Sequence, residues 1–370
     1  MNKGKFNPRQ LLFLAACALL FLFGVEATKI IPQDPLRQYK VAAAQHMQKA
    51  MAVLKQERLR KGMAIDRQND PNETGIIGKG YTDLTTTLGS LSSKRTSTNP
   101  NFAGLLVDML MQAGVQKGDG AAISFSGSFP GLNIATLAAI HVSGLEPVII
   151  SSVGASTYGA NEPRWTWLDM ESILREKGIW PYRSQAASLG GLVETQGGLG
   201  GKGIEMAWEA IRRNNIPYLD EQGDKAFPED RERRLALYER ALGSKKPSVF
   251  INVGGTLTSL GSCPEVHTLP TGLLLHIPHS DHPRRGIIFK MNEMGVPVIH
   301  LLNIKKIAAH HGLSIDPVPL PSIPSGRVMQ PPQYIRSFAL AGLILLFLLA
   351  LWLKESRVPT WFENSLRQLK

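Results

Sequence analysis

Hydrophobic positions are continuous at the two ends of the chain and periodic between them. Leu11 to Val25 (LLFLAACALLFLFGV) and Phe338 to Leu353 (FALAGLILLFLLALWL) are apolar runs without a charge. Each is slightly short of the roughly 17–25 apolar residues that cross a bilayer, so a spanning helix takes in flanking residues or thins the lipid. The second run has no polar face to set against solvent, which favours a membrane span over a buried core helix. For the first run a cleaved signal peptide stays open, because Val25, Glu26 and Ala27 loosely match a small-residue cleavage site. Leu14, Ala15, Ala16 and Cys17 have lipobox chemistry, but the apolar run continues past Cys17 and so carries the cysteine into the span.

Between the runs the period changes. From Asp34 to Arg60, Val41, Ala44, Met47, Met51, Val53 and Leu54 fall on one helical face, which predicts a membrane-proximal helix. Residues 62–100 are rich in Gly, Asn, Asp, Thr and Ser and read as a linker with one structured turn near Tyr81 to Leu91. From Asn101 onward helical and strand-like segments alternate. Strands are expected over 121–125, 147–152, 247–253, 273–277 and 296–302, and helices over 102–114, 131–141, 167–177, 204–214, 229–242, 284–294 and 304–311. That alternation predicts an α/β protein with a Rossmann-like layered parallel sheet, flanked by an N-terminal and a C-terminal transmembrane helix. Pro317, Pro319, Pro321, Pro324, Pro331 and Pro332 then give a stiff, extended spacer before the second run.

Charge orients this plan. Lys3, Lys5 and Arg9 precede the first run, and Lys354, Arg357, Arg367 and Lys370 follow the second. Basic residues close to a span tend to stay cytoplasmic, so both termini read as inside. The expected organisation is a cytoplasmic N-terminus (1–10), an anchor (11–27), the helix and linker (28–100), an extracytoplasmic α/β domain (101–315), the Pro-rich spacer (316–335), a second span (336–353) and a cytoplasmic tail (354–370). The protein is then expected in the cell membrane with its main domain outside the cytoplasm. Its formal charge of +11 suits a polyanionic partner or an anionic membrane surface. No aromatic-interleaved basic stripe accompanies that charge, and nucleic acid is not an expected partner. Cys17 and Cys263 are the only cysteines, so a disulfide framework is excluded and the domain must rely on its core.

Four loops carry candidate chemistry. Residues 121–133 (AAISFSGSFPGLN) run from a strand through a Ser/Gly turn into a helix, where Ser124, Ser126, Gly127 and Ser128 offer donors to a phosphate or carboxylate. The same residues suit an ordinary capped turn. The turn resembles the Ser-x-Ser-Gly turn of phosphosugar-binding sugar isomerase domains, with Phe129 and Gly131 replacing the usual Thr and Glu. The loop after the second strand brings Ser156, Thr157 and Asn161 to a sheet edge where α/β proteins hold ligands. Asp169 and Glu171 there read as helix N-terminal residues. The glycine-rich stretch 188–203 (SLGGLVETQGGLGGKG) ends in Lys202 and lets backbone approach an anion; it lacks the Ser or Thr of a Walker motif. Asn252 and Thr256 repeat the strand-then-glycine theme.

His276, His279, Asp281 and His282 are the metal-ligand types that cluster. The last three match the His-x-Asp-His end of the metallo-β-lactamase signature, but Ile277 stands where its first histidine belongs. No metal and no cofactor is expected. A Gly-x-Ser-x-Gly elbow is absent, and Ser126 and Ser156 remain open, unindicated choices for a nucleophile.

The segments 82–87 (TDLTTT), 153–161 (VGASTYGAN), 166–171 (TWLDME) and 298–304 (VIHLLNI), together with the N-terminal anchor, resemble the bacterial poly-gamma-glutamate system protein family. The resemblance covers most of residues 30–320. It implies a part in poly-gamma-glutamate biosynthesis or export, beside the membrane subunits of the synthase. The expected function is that of a membrane-anchored accessory protein whose outer domain binds the anionic polymer. Two alternatives are a polymer-trimming amide hydrolase and a phosphosugar-binding, isomerase-like domain.

Overall fold

Strand residues of the central segment are apolar on both sides, which buries a sheet between two layers of helices. The computed structural model describes residues 6, 8–28, 34–190, 198–219, 227–243, 245–329 and 334–355. In chain order the elements begin with α1 (Pro8–Ala27), α2 (Arg37–Arg60), β1 (Thr85–Thr87), α3 (Leu91–Thr96), α4 (Asn101–Gln112), β2 (Gly120–Ser126) and α5 (Pro130–Ser143). They continue with β3 (Glu146–Ser152), β4 (Ala155–Ser156), α6 (Trp167–Glu176), β5 (Ala186–Ser188), α7 (Gly201–Arg213), α8 (Phe227–Ala241) and β6 (Val249–Val253). The last are α9 (Leu257–Leu260), β7 (Gly272–Leu274), α10 (Ile287–Glu293), β8 (Val298–Leu301), α11 (Ile304–His311) and α12 (Arg336–Glu355).

The chain divides into two units, one formed by the terminal stretches 1–34 and 330–370 and one by Pro35–Met329. In the larger unit the main sheet has the order β5-β3-β2-β6-β8-β7, parallel except for β7, which pairs antiparallel with β8 at one edge. An antiparallel edge strand on a mainly parallel sheet is common in α/β folds. The two-residue period of a strand sorts side chains between the faces. Ile123 and Phe125 of β2, Ile149 of β3, Ile251 of β6 and Ile299 of β8 enter a core built with α2, α4, α5 and α6. Ala122, Ile150, Phe250 and Val298 face the other way, against Tyr238 of α8 and Ile287 and Met291 of α10.

Two boundaries read from the sequence fall inside this unit. The helix placed next to the membrane is α2, and Ala43, Ala44, Met47, Ala50 and Leu54 bury its apolar face in the first core. The stretch 62–100 is fastened to the sheet side: Trp165 Nε1 donates to Gly75 O at 3.0 Å, and Lys79 N–H donates to Asn161 Oδ1 at 2.9 Å. The described part of the Pro-rich spacer is held likewise. Arg95 grips Asp316 through two 2.6 Å bonds, and Lys40 Nζ donates to Val328 O at 3.1 Å. Prolines stiffen such a segment but do not prevent packing, because these side chains of α2 and α3 meet its polar groups. Pro331 and Pro332 lie outside the described residues, as do Lys3, Lys5, Arg357, Arg367 and Lys370.

In the terminal unit, α1 and α12 are 20 residues each, about 30 Å at 1.5 Å per residue, the thickness of a hydrocarbon core. Both are long and apolar enough to cross a membrane. Their large side chains, among them Leu20, Phe23, Leu345 and Phe347, are exposed. Phe21 packs against Phe338 with ring centroids 5.9 Å apart, and Tyr334 Oη donates to Glu26 Oε1 at 2.7 Å.

Candidate functional site

The strand order reverses at β2: β3 and β5 extend to one side and β6 and β8 to the other. Open α/β sheets leave a crevice outside the carboxyl ends of the strands at such a reversal. A cavity of about 240 Å³ lies there. Its walls come from five separate stretches of chain: Thr86 to Lys94, Ser126 to Phe129, Gly154 to Ser156, Gly255 to Thr256, and Leu302 just after β8. Two larger concavities, of about 460 Å³ along α7 at Trp208 and about 570 Å³ at His141 of α5, do not take in the strand ends.

Local pairing explains how the walls meet. The β-branched run Thr85–Thr87 forms β1 and pairs parallel with β4, opposite Ala155 and Ser156. Thr157 N–H donates to Thr87 O at 3.0 Å, and Thr157 Oγ1 accepts from Gly89 N–H at 2.7 Å. The chain then turns into α3, capped by Ser90, whose side chain accepts from Ser93 N–H. A Cβ on Gly89 would meet Ser156 Oγ at 2.8 Å, so this position needs glycine. On the facing strand Gly254 has φ +97°, and a Cβ there would meet Ser126 Cβ at 2.7 Å.

Lys94 of α3 points into this assembly and is 1% exposed. Its Nζ lies 2.7 Å from Ser156 Oγ, donates to Ser128 O, and sits 3.6 Å from the centre of the Phe129 ring. No carboxylate pairs with it among the described residues. Burial alone brings its ammonium down from the ordinary lysine value to about 7. Each pKa unit is worth about 1.4 kcal/mol, so the charged form is disfavoured by on the order of 5 kcal/mol. Also lining the cavity is Thr256, whose Oγ1 is buried without a hydrogen-bond partner among the described residues. An uncompensated cation and an unmet hydroxyl in one cavity are both costly unless a bound group answers them.

Of the residues singled out from the sequence, Ser126, Ser128, Ser156 and Thr256 line the cavity. Ser128 Oγ accepts from Ser156 N–H at 3.0 Å, and Ser126 Oγ accepts from Ser128 N–H at 3.1 Å. Gly127 lies between them and accepts at its carbonyl from Ala160 N–H. The others are tied into the scaffold. Ser124 Oγ bonds Ser259 Oγ at 2.7 Å, on the sheet face away from the first core. Thr157 clamps Gly89, and Asn161 holds Lys79 through Oδ1 and Nδ2. Asn252 Nδ2 donates to Gly254 O at 2.7 Å and lies 3.1 Å from His300 Nδ1. Lys202 is exposed and pairs with Asp83 at 3.2 Å, while residues 191–197 of the glycine-rich stretch lie outside the described residues.

Asp169 completes a capping box with Thr166 and takes two 2.7 Å bonds from Arg213. Glu171, raised to about 7 by burial, accepts from Ser184 N–H at 2.7 Å and Ser184 Oγ at 3.0 Å. The histidine loop is exposed: His279 Nε2 meets Asp281 Oδ1 at 2.9 Å, and His276 and His282 do not converge with them. Among the described residues no group of three or more His, Cys, Asp or Glu could hold a metal ion. Sequence reasoning passed over Lys94 and Gly89 and named Phe129 only as a departure from the sugar isomerase turn. The available signal was that 82–87 and 153–161 were both distinctive strings, and β1–β4 pairing makes them neighbours.

Comparison of the chain with protein-family models, with curated proteins and with solved structures gives no match.

Proposed function

We propose that this chain is a membrane-anchored accessory protein of poly-gamma-glutamate biosynthesis or export, whose α/β unit binds a carboxylate of the polymer outside the cytoplasm. The observation that carries the ligand class is Lys94: a buried cation that has no counter-charge among the described residues, lining a cavity with the Thr256 hydroxyl, likewise unmet among them. A carboxylate satisfies both groups, neutralising the ammonium and accepting from the hydroxyl. At about 240 Å³ the cavity is smaller than the roughly 300–1,000 Å³ of sites for drug-sized ligands. It suits one glutamyl unit, such as a chain end, better than a run of polymer. The pathway comes from the resemblance of 82–87, 153–161, 166–171 and 298–304. Two of those segments, 82–87 and 153–161, contribute to the cavity wall.

Rossmann-like layering is supported by the sheet reversal at β2, with the ligand crevice at that reversal. Insertion of both terminal helices is supported by their length, their exposed apolar surface and the basic residues Arg9 and Lys354 at their outer ends. Partners on this reading are the polymer and the membrane subunits of its synthase.

Calorimetric titration of the full chain in detergent with γ-linked oligoglutamate tests the reading. Binding is expected for the wild type and is expected to be lost in Lys94→Met. Equal binding by the two proteins, or none by either, sinks it. The Ser126–Ser128 turn on the cavity wall favours one other ligand, a sugar phosphate. Thermal stabilisation by sugar phosphates but not by oligoglutamate selects that alternative.

A further inference from the structure

We propose that Ser156 is a nucleophile and Lys94 its general base, so that the cavity performs acyl transfer on a small carboxylic amide or ester, with water as the final acceptor. The substrate we favour, a terminal γ-glutamyl amide, rests on the function proposed above; the chemistry of the pair does not.

The geometry distinguishes Ser156 from every other hydroxyl on the wall. Among the described residues its Oγ has one side-chain partner, the Lys94 nitrogen at 2.7 Å. When that nitrogen is an ammonium it donates to the hydroxyl; as a neutral amine it accepts the hydroxyl proton, which is the arrangement an activated serine requires. Ser126, the alternative nucleophile, accepts from Ser128 N–H and has no base beside it. Ser128 Oγ is occupied by Ser156 N–H. Ser128 O and the Phe129 ring hold Lys94 Nζ from its remaining sides, so the amine is fixed rather than free to swing. A tether would need only a hydrogen bond, and an amide side chain could supply one. A buried lysine instead keeps a basic lone pair available near neutral pH.

The reaction follows from these positions. Ser156 Oγ attacks the carbonyl carbon, forming a C–O bond, while its proton passes to Lys94 Nζ. The carbonyl oxygen becomes an oxyanion, for which the Thr256 hydroxyl, unpartnered among the described residues, is the donor the cavity wall offers. The C–N bond of an amide, or C–O bond of an ester, then breaks and the leaving group takes the proton from Lys94. Water attacks the resulting acyl-Ser156 ester, gives a proton to Lys94, and the ester bond breaks. Ser156 Oγ recovers that proton, and the products are a carboxylic acid and the amine or alcohol.

A fluorophosphonate probe tests the pair on the full chain in detergent. Labelling is read by intact mass and peptide mapping between pH 5 and 10. The expected result is one adduct, on Ser156, forming about tenfold faster per pH unit below 7 and levelling above it. Ser156→Ala is expected to abolish it, and Lys94→Met to slow it by about 10²–10⁴-fold with its melting transition intact. If Lys94→Met fails to fold, the wild-type pH profile and Ser156→Ala decide alone. Absence of wild-type labelling, an adduct on another residue, a flat pH profile, or wild-type rates in a folded Lys94→Met overturns the proposal. Labelling that follows Lys94 while oligoglutamate fails to bind removes the polymer as ligand and leaves the nucleophile–base pair standing.

Discussion

The crevice at β2 and the histidine loop after β7 differ in the opposite sense from their compositions. The loop gathers His276, His279, Asp281 and His282 within seven positions, yet His276, His279 and Asp281 are exposed, His279 pairs locally with Asp281, and the half-buried His282 accepts from Arg284 N–H. The crevice holds one titratable side chain, Lys94, among serines, threonines and glycines. That single group is buried and lacks a counter-charge among the described residues. Reactivity depends on what the fold leaves unanswered, and solvent answers everything in the loop.

Four measurements sharpen or break this contrast. The largest effect is expected from Lys94→Met. Unfolded, Lys94 binds its proton with the ordinary lysine affinity, whereas folded it does so only below about 7. Between those values the unfolded chain holds the extra proton, so wild-type stability rises with pH by about 1.4 kcal/mol per unit. Below 7 the full penalty applies. Lys94→Met lacks this slope, so its advantage over the wild type in denaturant titrations should shrink steadily from pH 7 to 10. An advantage that ignores pH would remove the buried cation from the comparison.

Next is the clamp on α3. Arg95→Ala or Asp316→Ala breaks a bidentate pair that is about four-fifths buried on each side and should lower stability by about 1–2 kcal/mol. Melting temperatures unchanged in both variants would mean α3 is positioned by other contacts. Gly89→Ala comes third. Its methyl group would press on Ser156 Oγ and on Thr157 O, 3.0 Å away, for a loss of about 1 kcal/mol or more together with loss of ligand binding. Full binding by this variant would show that the wall yields. Smallest is His279→Ala, expected to stay within about 0.5 kcal/mol of the wild type, with or without chelator, as for other exposed substitutions. A shift above that level would give the loop a role the crevice was thought to hold alone.

Much of the architecture was legible in the sequence. The strands expected at 121–125, 147–152 and 296–302 are β2, β3 and β8, and Gly131 to His141 lies within α5. The strands register as short continuous apolar runs, because burial on both sheet faces demands them, and α5 by its length. The shorter elements β1, β4, β5 and α3 were not legible, since two to six residues carry no period. That gap hid the site as well. Ser126, Ser128, Ser156 and Thr256 advertised themselves by following strands, whereas Lys94 sits in a Ser/Thr-rich stretch that reads as linker. Only the non-local pairing of Thr85–Thr87 with Ala155–Ser156 brings it to them. Asn161 and Asn252 matched the same loop logic, but their amides satisfy backbone groups instead of facing the cavity.

The walls of the crevice come from five chain stretches, while the sheet under them is sealed by a core on each face. Selectivity and scaffold are therefore separable in inheritance. Point changes in any one stretch can retune which small acid fits, and the frame that orients the others is left untouched.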